Sequence, residues 1–144
     1  MISENLVSLA RSYVGCSVSH DRARYAALVM GPGDKPAAEL YFCAPNTSGC
    51  ALVVRGLWRA EGLTHPYLDA TYRIGHAMAD IVAIARESKA WVQAHSRSDR
   101  LPAPGDAVVL HTADGGHAYT VIEVEQRDGC LCDLVTVDGG ARDE

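Results

Sequence analysis

Cys50 is the residue whose type and position most clearly favour chemistry. It follows three polar turn residues, Asn46, Thr47 and Ser48, and opens the apolar segment 50–58, which has the composition of a buried helix. Each of the three polar side chains can accept a hydrogen bond from an N–H group at a helix start. The same N–H groups and the positive end of the helix dipole favour a thiolate. The position therefore predicts a nucleophile, and a core cysteine is the alternative on spacing alone.

A cysteine nucleophile needs a base, and the base usually needs a group that orients it. His117 follows a Gly-Gly pair and opens segment 117–125, whose alternation is typical of a strand. Asp138 ends the next predicted strand. Because the start of one strand lies beside the end of the other in an antiparallel hairpin, Asp138 can accept a hydrogen bond from the imidazole of His117. The sequence therefore predicts a Cys50–His117–Asp138 triad.

Each of the two partners has a simpler interpretation. Taken alone, His117 is more typical of a rim histidine bonded to a loop carbonyl than of a base, and Asp138 before two glycines is more typical of a turn residue than of an orienting carboxylate. The four residues His111, Asp114, His117 and Asp138 can also gather around a metal. The His111–His117 spacing matches no ligand motif, so we predict no metal site and no cofactor.

The remaining cysteines and histidines carry no pattern of this kind. An odd count of five cysteines argues against a disulfide framework, and the Cys130-x-Cys132 pair has no second pair to complete a zinc site. We expect the other cysteines to be core or incidental thiols, namely Cys16, Cys43, Cys130 and Cys132. We expect surface or cap positions for His20, His65, His76 and His95.

The elements that must position these residues change in type along the chain. Helical spacing is found early, and strand-type runs follow the Pro- and Gly-rich turn at 101–106. This order predicts one α+β domain over residues 1–144, with an antiparallel meander. A three-strand sheet is small, so we also expect either a further strand in the first half or a shortened chain. The predicted helices are 3–14, 50–61 and, in one or two pieces, 70–94, while 25–30 is a helix turn or a strand. The predicted strands are 107–110, 117–125 and 131–137, with 114–116 as a loop and 127–129 as a hairpin turn.

Composition excludes several classes of partner. The chain has 144 residues, 48% of them hydrophobic, and a net charge of −5 without a basic run. It therefore has no electrostatic footprint for nucleic acid or an anionic membrane. No apolar run is long enough to cross a bilayer, and the first residues lack the pattern of a signal peptide. We expect a cytoplasmic protein, one exported by a signal-independent route, or one whose leader has been removed.

Four segments together resemble NlpC-type papain-like cysteine peptidases and the related CHAP amidases. Residues 9–15 resemble the end of that family's first helix, and 48–53 (Ser-Gly-Cys-Ala-Leu-Val) its nucleophile segment. Residues 101–109 resemble the Pro-Gly-Asp turn into the first strand, and 116–122 (Gly-His-Ala-Tyr-Thr-Val-Ile) the strand that carries the base. The order and approximate spacing of the four segments agree with the family. Gly49 stands where the family often has Asp, and the segment between Gly15 and Cys50 is longer than usual.

The resemblance implies a papain-like NlpC-type fold with the nucleophile at the start of the central helix. It implies hydrolysis of an amide bond in peptidoglycan peptides through an acyl-enzyme on Cys50, with His117 as base and Asp138 as the third residue. The backbone N–H of Cys50, supported by Asn46, Ser48 and Gly49, would hold the oxyanion. No metal or cofactor is implied, and the expected partner is a wall peptide or another amide substrate.

Two other functions fit the same residues. One is a thiol acyltransferase or transglutaminase-like enzyme on the same scaffold. The other is a non-catalytic binding or structural domain that keeps the fold. The sequence leaves open the cleaved bond and whether an inhibitor or a delivery protein binds the chain.

Overall fold

A computed structural model of the chain describes residues 3–17, 20–30, 49–69, 76–93, 100–113 and 115–139. Within these ranges, helices come first and strands follow, so the predicted α+β class is confirmed. The helices are α1 (Ser3–Ser12), α2 (Arg22–Met30), α3 (Cys50–Ala60), α4 (Pro66–Asp69) and α5 (Ala77–Glu87). The strands are β1 (Ala107–Thr112), β2 (Gly115–Arg127) and β3 (Cys130–Val137).

The three strands form an antiparallel sheet in the order β1-β2-β3. The predicted hairpin turn is confirmed, since Asp128 and Gly129 both have positive φ, at 53° and 75°, as a two-residue turn between twisted strands requires. The expected loop at 114–116 is wrong for two of its residues. Gly115 and Gly116 already belong to β2, because they continue the β1 ladder opposite Thr112 and His111.

Helix α3 is the centre of the hydrophobic core. Its residues 50–57 are all buried, including Leu52 and Leu57 at no exposure, and burying each such leucine contributes about 1.5–3 kcal/mol. Helices α1, α2 and α5 pack around it, and Ala118 of β2 belongs to the same cluster. The sequence predicted this burial from the apolar run that follows Cys50.

Helix α3 ends within one residue of the predicted end at residue 61. Gly62 has a φ of +88°, and the N–H groups of Gly62 and Leu63 bond back to the carbonyls of Arg59 and Trp58 at 3.0 Å each. These two bonds close the helix in the way that a left-handed glycine allows.

The helix predicted over 70–94 is too long. Within this span, the described residues form one α-helix, Ala77–Glu87, and 70–75 and 94–99 lie outside the described residues. Lys89 adopts a left-handed φ of 55°, and the Ala90 N–H bonds to the Ala85 carbonyl at 2.8 Å, which stops α5. Trp91 therefore follows the helix instead of extending its apolar stripe.

The early part of the chain is helical where the structure describes it. Helix α1 ends at Ser12, just before Gly15 with a φ of 87°, and the run that allowed helix or strand is α2. The ranges 3–17, 20–30 and 49–69 hold no strand, and an extra strand within 31–48 would lie outside the described residues. Of the helices described, none combines the length and hydropathy needed to cross a membrane.

Candidate active site

His117 and Asp138 meet at the rim of the sheet. The Nε2 atom of His117 lies 2.7 Å from Oδ2 of Asp138, and the two side chains are 41% and 49% exposed. The β2–β3 register explains the contact, because Thr120 pairs with Val137 and brings the next residue, Asp138, alongside the start of β2. The ring of Tyr119 lies on the same side of β2, with its centroid 5.9 Å from the imidazole.

This hydrogen bond fixes the roles of the two ring nitrogens of His117. A carboxylate only accepts hydrogen bonds, so Nε2 carries the hydrogen that Asp138 accepts. In the neutral ring, Nδ1 then holds the lone pair. The pair can therefore orient an imidazole whose Nδ1 is ready to take a proton.

Cys50 is the first residue of α3, and it is 3% exposed. It is in no disulfide. Its N-cap residue is Gly49, whose carbonyl accepts the first helical hydrogen bond from the Val53 N–H at 2.8 Å. The N–H groups of this first turn point out of the helix end, where a developing negative charge would be stabilised.

The expected polar cap is wrong in one respect. Gly49 occupies the cap position, and it has no side chain to offer. Asn46, Thr47 and Ser48 lie outside the described residues. The role expected for Asn46 and Ser48 in holding an oxyanion therefore stays a prediction. Among the described residues, the N-terminal end of α3 thus presents backbone groups.

Gly139 connects the strand end that carries Asp138 to the helix start that carries Cys50. A β-carbon placed on Gly139 would overlap Cγ2 of Val53 and lie 3.2 Å from the Gly49 carbonyl oxygen. The backbone that follows Asp138 therefore packs directly on the first turn of α3. The site thus gathers the end of β3, the start of β2 and the start of α3.

Helix α5 provides a second connection between these elements. Met78 lies against the start of β2, with Cε 3.4 Å from where a β-carbon of Gly116 would stand. Two residues on, Asp80 forms an ion pair with Arg55 of α3 at 3.4 Å. Helix α5 is therefore in contact with both elements that carry the candidate nucleophile and base.

The metal alternative gains no geometric support. Among the residues the structure describes, no three His, Cys, Asp or Glu side chains form a group that could hold an ion. His111 lies on β1 opposite Gly116, and Asp114 is outside the described ranges.

His65 caps the start of α4, which is one of the positions expected for it, and it also has a carboxylate partner that the sequence did not predict. Its Nε2 lies 2.7 Å from the Glu87 carboxylate, and its Nδ1 accepts a hydrogen bond from the Tyr67 N–H at 3.1 Å. The signal was its position before Pro66, which is typical of a residue that caps a helix. For Gly139, the Asp-Gly-Gly sequence indicated only a turn and not the close contact with α3. His76 does precede a helix, α5, while His95 lies outside the described residues.

No protein-family model, curated protein or solved structure matches this chain. Its likeness to the NlpC-type enzymes therefore depends on the four segments of its own sequence.

Proposed function

We propose that the protein is a cysteine hydrolase that cleaves an amide bond through an acyl-enzyme on Cys50. The observation that carries the proposal is the bonded His117–Asp138 pair, whose strand end packs through Gly139 on the first turn of α3. A thiol at a helix start, an imidazole and an orienting carboxylate are the parts that nucleophilic catalysis requires.

The reaction follows from the roles of these atoms. Nδ1 of His117 takes the proton of the Cys50 thiol, and the thiolate attacks the carbonyl carbon of the substrate. First-turn N–H groups of α3 stabilise the oxyanion of the tetrahedral intermediate. The C–N bond breaks as Nδ1–H protonates the leaving amine, which leaves a thioester. His117 then deprotonates a water that attacks the thioester and releases the acid and the thiol.

The order of the elements supports a papain-like NlpC-type arrangement. The four resembling segments fall at the end of α1, at the start of α3, in the turn into β1 and within β2. On this scaffold, peptidoglycan peptides are the substrate class we propose. The substrate class depends on the resemblance, whereas the chemistry depends on the three side chains.

Purified protein should therefore release a new amine and a new carboxyl group from muropeptides, read by mass spectrometry. In water enriched in oxygen-18, one heavy oxygen should enter the new carboxyl group. The Cys50→Ala and His117→Ala variants should lose this activity, while Cys130→Ser, at the far end of the β2–β3 hairpin, should retain it. Intact muropeptides of every wall type with the wild-type protein would count against the substrate class. Labelling of Cys50 by a thiol-reactive acyl probe with no hydrolysis would favour an acyltransferase.

A non-catalytic domain is the second candidate, and two observations favour it. Cys50 is 3% exposed, as a core cysteine would be. Side chains also alternate along a strand, so His117 and the fully buried Ala118 leave β2 in opposite directions. Iodoacetamide separates the candidates: a catalytic Cys50 should react faster at neutral pH than the exposed Cys130, and a core cysteine should react more slowly.

A further inference from the structure

The core contains a buried ion pair between Arg55 and Asp80, and neither residue takes part in the proposed reaction. Its side chains are 0% and 1% exposed, and Arg55 Nη1 lies 3.4 Å from Asp80 Oδ2. Arg55 is the one charged residue among the buried residues 50–57 of α3, and Asp80 lies in the first turn of α5. Charges are rarely buried to this extent, so the pair calls for a physical explanation.

Stability alone explains the pair poorly. The loss of hydration of two buried charges can exceed their mutual attraction, and apolar residues of similar volume often replace such pairs without loss. A buried pair does fix geometry, because the guanidinium and the carboxylate are satisfied in few relative positions. The Arg55–Asp80 contact, which joins Nη1 to Oδ2 at 3.4 Å, therefore constrains how α5 lies on α3.

The constrained elements are the ones that carry the candidate site. Arg55 lies five residues after Cys50, about 7.5 Å along the α3 axis. Asp80 lies two residues after Met78, whose methyl group packs at Gly116, the residue before His117. The contacts thus run from the helix of the nucleophile, through α5, to the strand of the base.

We propose that Arg55 and Asp80 are positioning residues that set the separation of Cys50 from His117. This inference rests on the proposed function for its catalytic consequence. The positional consequence does not depend on it, because the contacts through α5 exist whatever reaction the site performs. Neither residue touches a substrate in this proposal; both act through the placement of α5.

The test is the double variant Arg55→Met/Asp80→Leu, which removes both charges and keeps volume in the core. Circular dichroism should show a folded protein that unfolds at or above the wild-type temperature. On muropeptides, kcat should fall by tenfold to about 10²-fold, as expected for a small misplacement of reacting groups, with KM changed less than about twofold. Arg55→Lys, with Asp80 in place, should retain more of kcat than the double variant does, since it keeps the positive charge and loses only the planar guanidinium.

Arg59→Met is the matched control on the same helix. Arg59 donates to the carbonyls of Leu28 and Leu68, at 2.6 and 2.9 Å, and so connects α3 to α2 and α4. It should lower the unfolding temperature and leave kcat of the folded protein unchanged. A double variant with wild-type kcat, or an Arg59→Met variant with the same loss of kcat, would reduce the Arg55–Asp80 pair to a structural role.

Two readouts separate this inference from the proposed function. The first is the ring signals of His117 in proton–carbon spectra, assigned with His117→Gln. The second is the alkylation rate of Cys50, measured by peptide mass spectrometry. Both should change in the double variant and stay as in the wild type in Arg59→Met. If both readouts change while the wild type cleaves no muropeptide, the positioning role of Arg55 and Asp80 is supported and the proposed substrate is wrong. If neither readout changes, the positioning role is refuted.

Discussion

Gly139 lies so close to Val53 that no other residue type fits at this position without a shift. A β-carbon on Gly139 would overlap Cγ2 of Val53 and lie 3.1 Å from its Cβ. Gly139 directly follows Asp138, and Val53 is three residues after Cys50. The contact therefore sets the distance between the carboxylate end of the candidate triad and the helix that begins with the thiol.

We expect Gly139→Ala to be destabilising by about 1–3 kcal/mol, because the added methyl group overpacks a closed contact. It should also lower hydrolysis, since the end of β3 must move away from α3. Urea unfolding measures the first effect, and muropeptide turnover measures the second. Val53→Ala removes the opposing Cγ2 atom, so the double variant should be more stable than the sum of the two single changes predicts. Strict additivity of the two changes would contradict the contact.

We expect Asp138→Ala to reduce kcat by about 10²-fold while it leaves stability nearly unchanged. Alanine offers no acceptor to the Nε2–H group, so the imidazole of His117 loses its fixed tautomer and its orientation toward the thiol. The side chains of the pair are 41% and 49% exposed, so the bond contributes at most about 1 kcal/mol to folding.

Glu87→Ala is the control for Asp138→Ala. It alters an equally short His–carboxylate contact, His65 to Glu87 at 2.7 Å, in another part of the protein. Its kcat should match the wild type. Equal activity of Asp138→Ala and the wild type would remove Asp138 from the triad and leave His117 as a rim histidine.

Much of the site could be predicted because it depends on local pattern. The Asp128-Gly129 turn sets the register of β2 on β3, and that register brings Asp138 beside His117. The start of α3 at Cys50 follows from the change from polar turn to apolar run. Each of these features depends only on residues that are neighbours in the sequence or that belong to a single hairpin.

What could not be predicted depends on contacts between distant elements. Nothing near Arg55 indicates its partner, since Asp80 lies 25 residues away on another helix. The end of α5 depends on Lys89 in a left-handed conformation, which a lysine seldom adopts, so the sequence offered no stop signal before Trp91. The Gly139–Val53 approach is likewise a product of packing, and the Gly-Gly pair alone reads as a turn.

Breaking the buried ion pair on one side should cost more than its double replacement. We expect Asp80→Ala to destabilise the protein by about 3–5 kcal/mol, because Arg55 would then be buried without this carboxylate. The exposed pair of Arg11 and Glu123, between α1 and β2, is the comparison. Glu123→Ala should cost less than about 1 kcal/mol. Chemical unfolding of both variants gives the two values, and similar costs would mean that the buried pair is well compensated by its surroundings.

Gly56→Ala tests how closely α3 packs on α2. Alanine favours a helix over glycine by about 1 kcal/mol, so propensity alone predicts a gain. A β-carbon at Gly56, however, would overlap the carbonyl oxygen of Leu28 and lie 2.9 Å from its carbonyl carbon. Backbone atoms of a packed helix cannot move aside as a flexible side chain can. The overlap should therefore cost about 1–3 kcal/mol, which exceeds the gain from helix propensity. We therefore expect a net loss of stability in urea unfolding. Ala60→Gly, at an exposed position of the same helix, measures the propensity effect without the overlap. A Gly56→Ala protein more stable than the wild type would show that α2 can retreat from α3 at little cost.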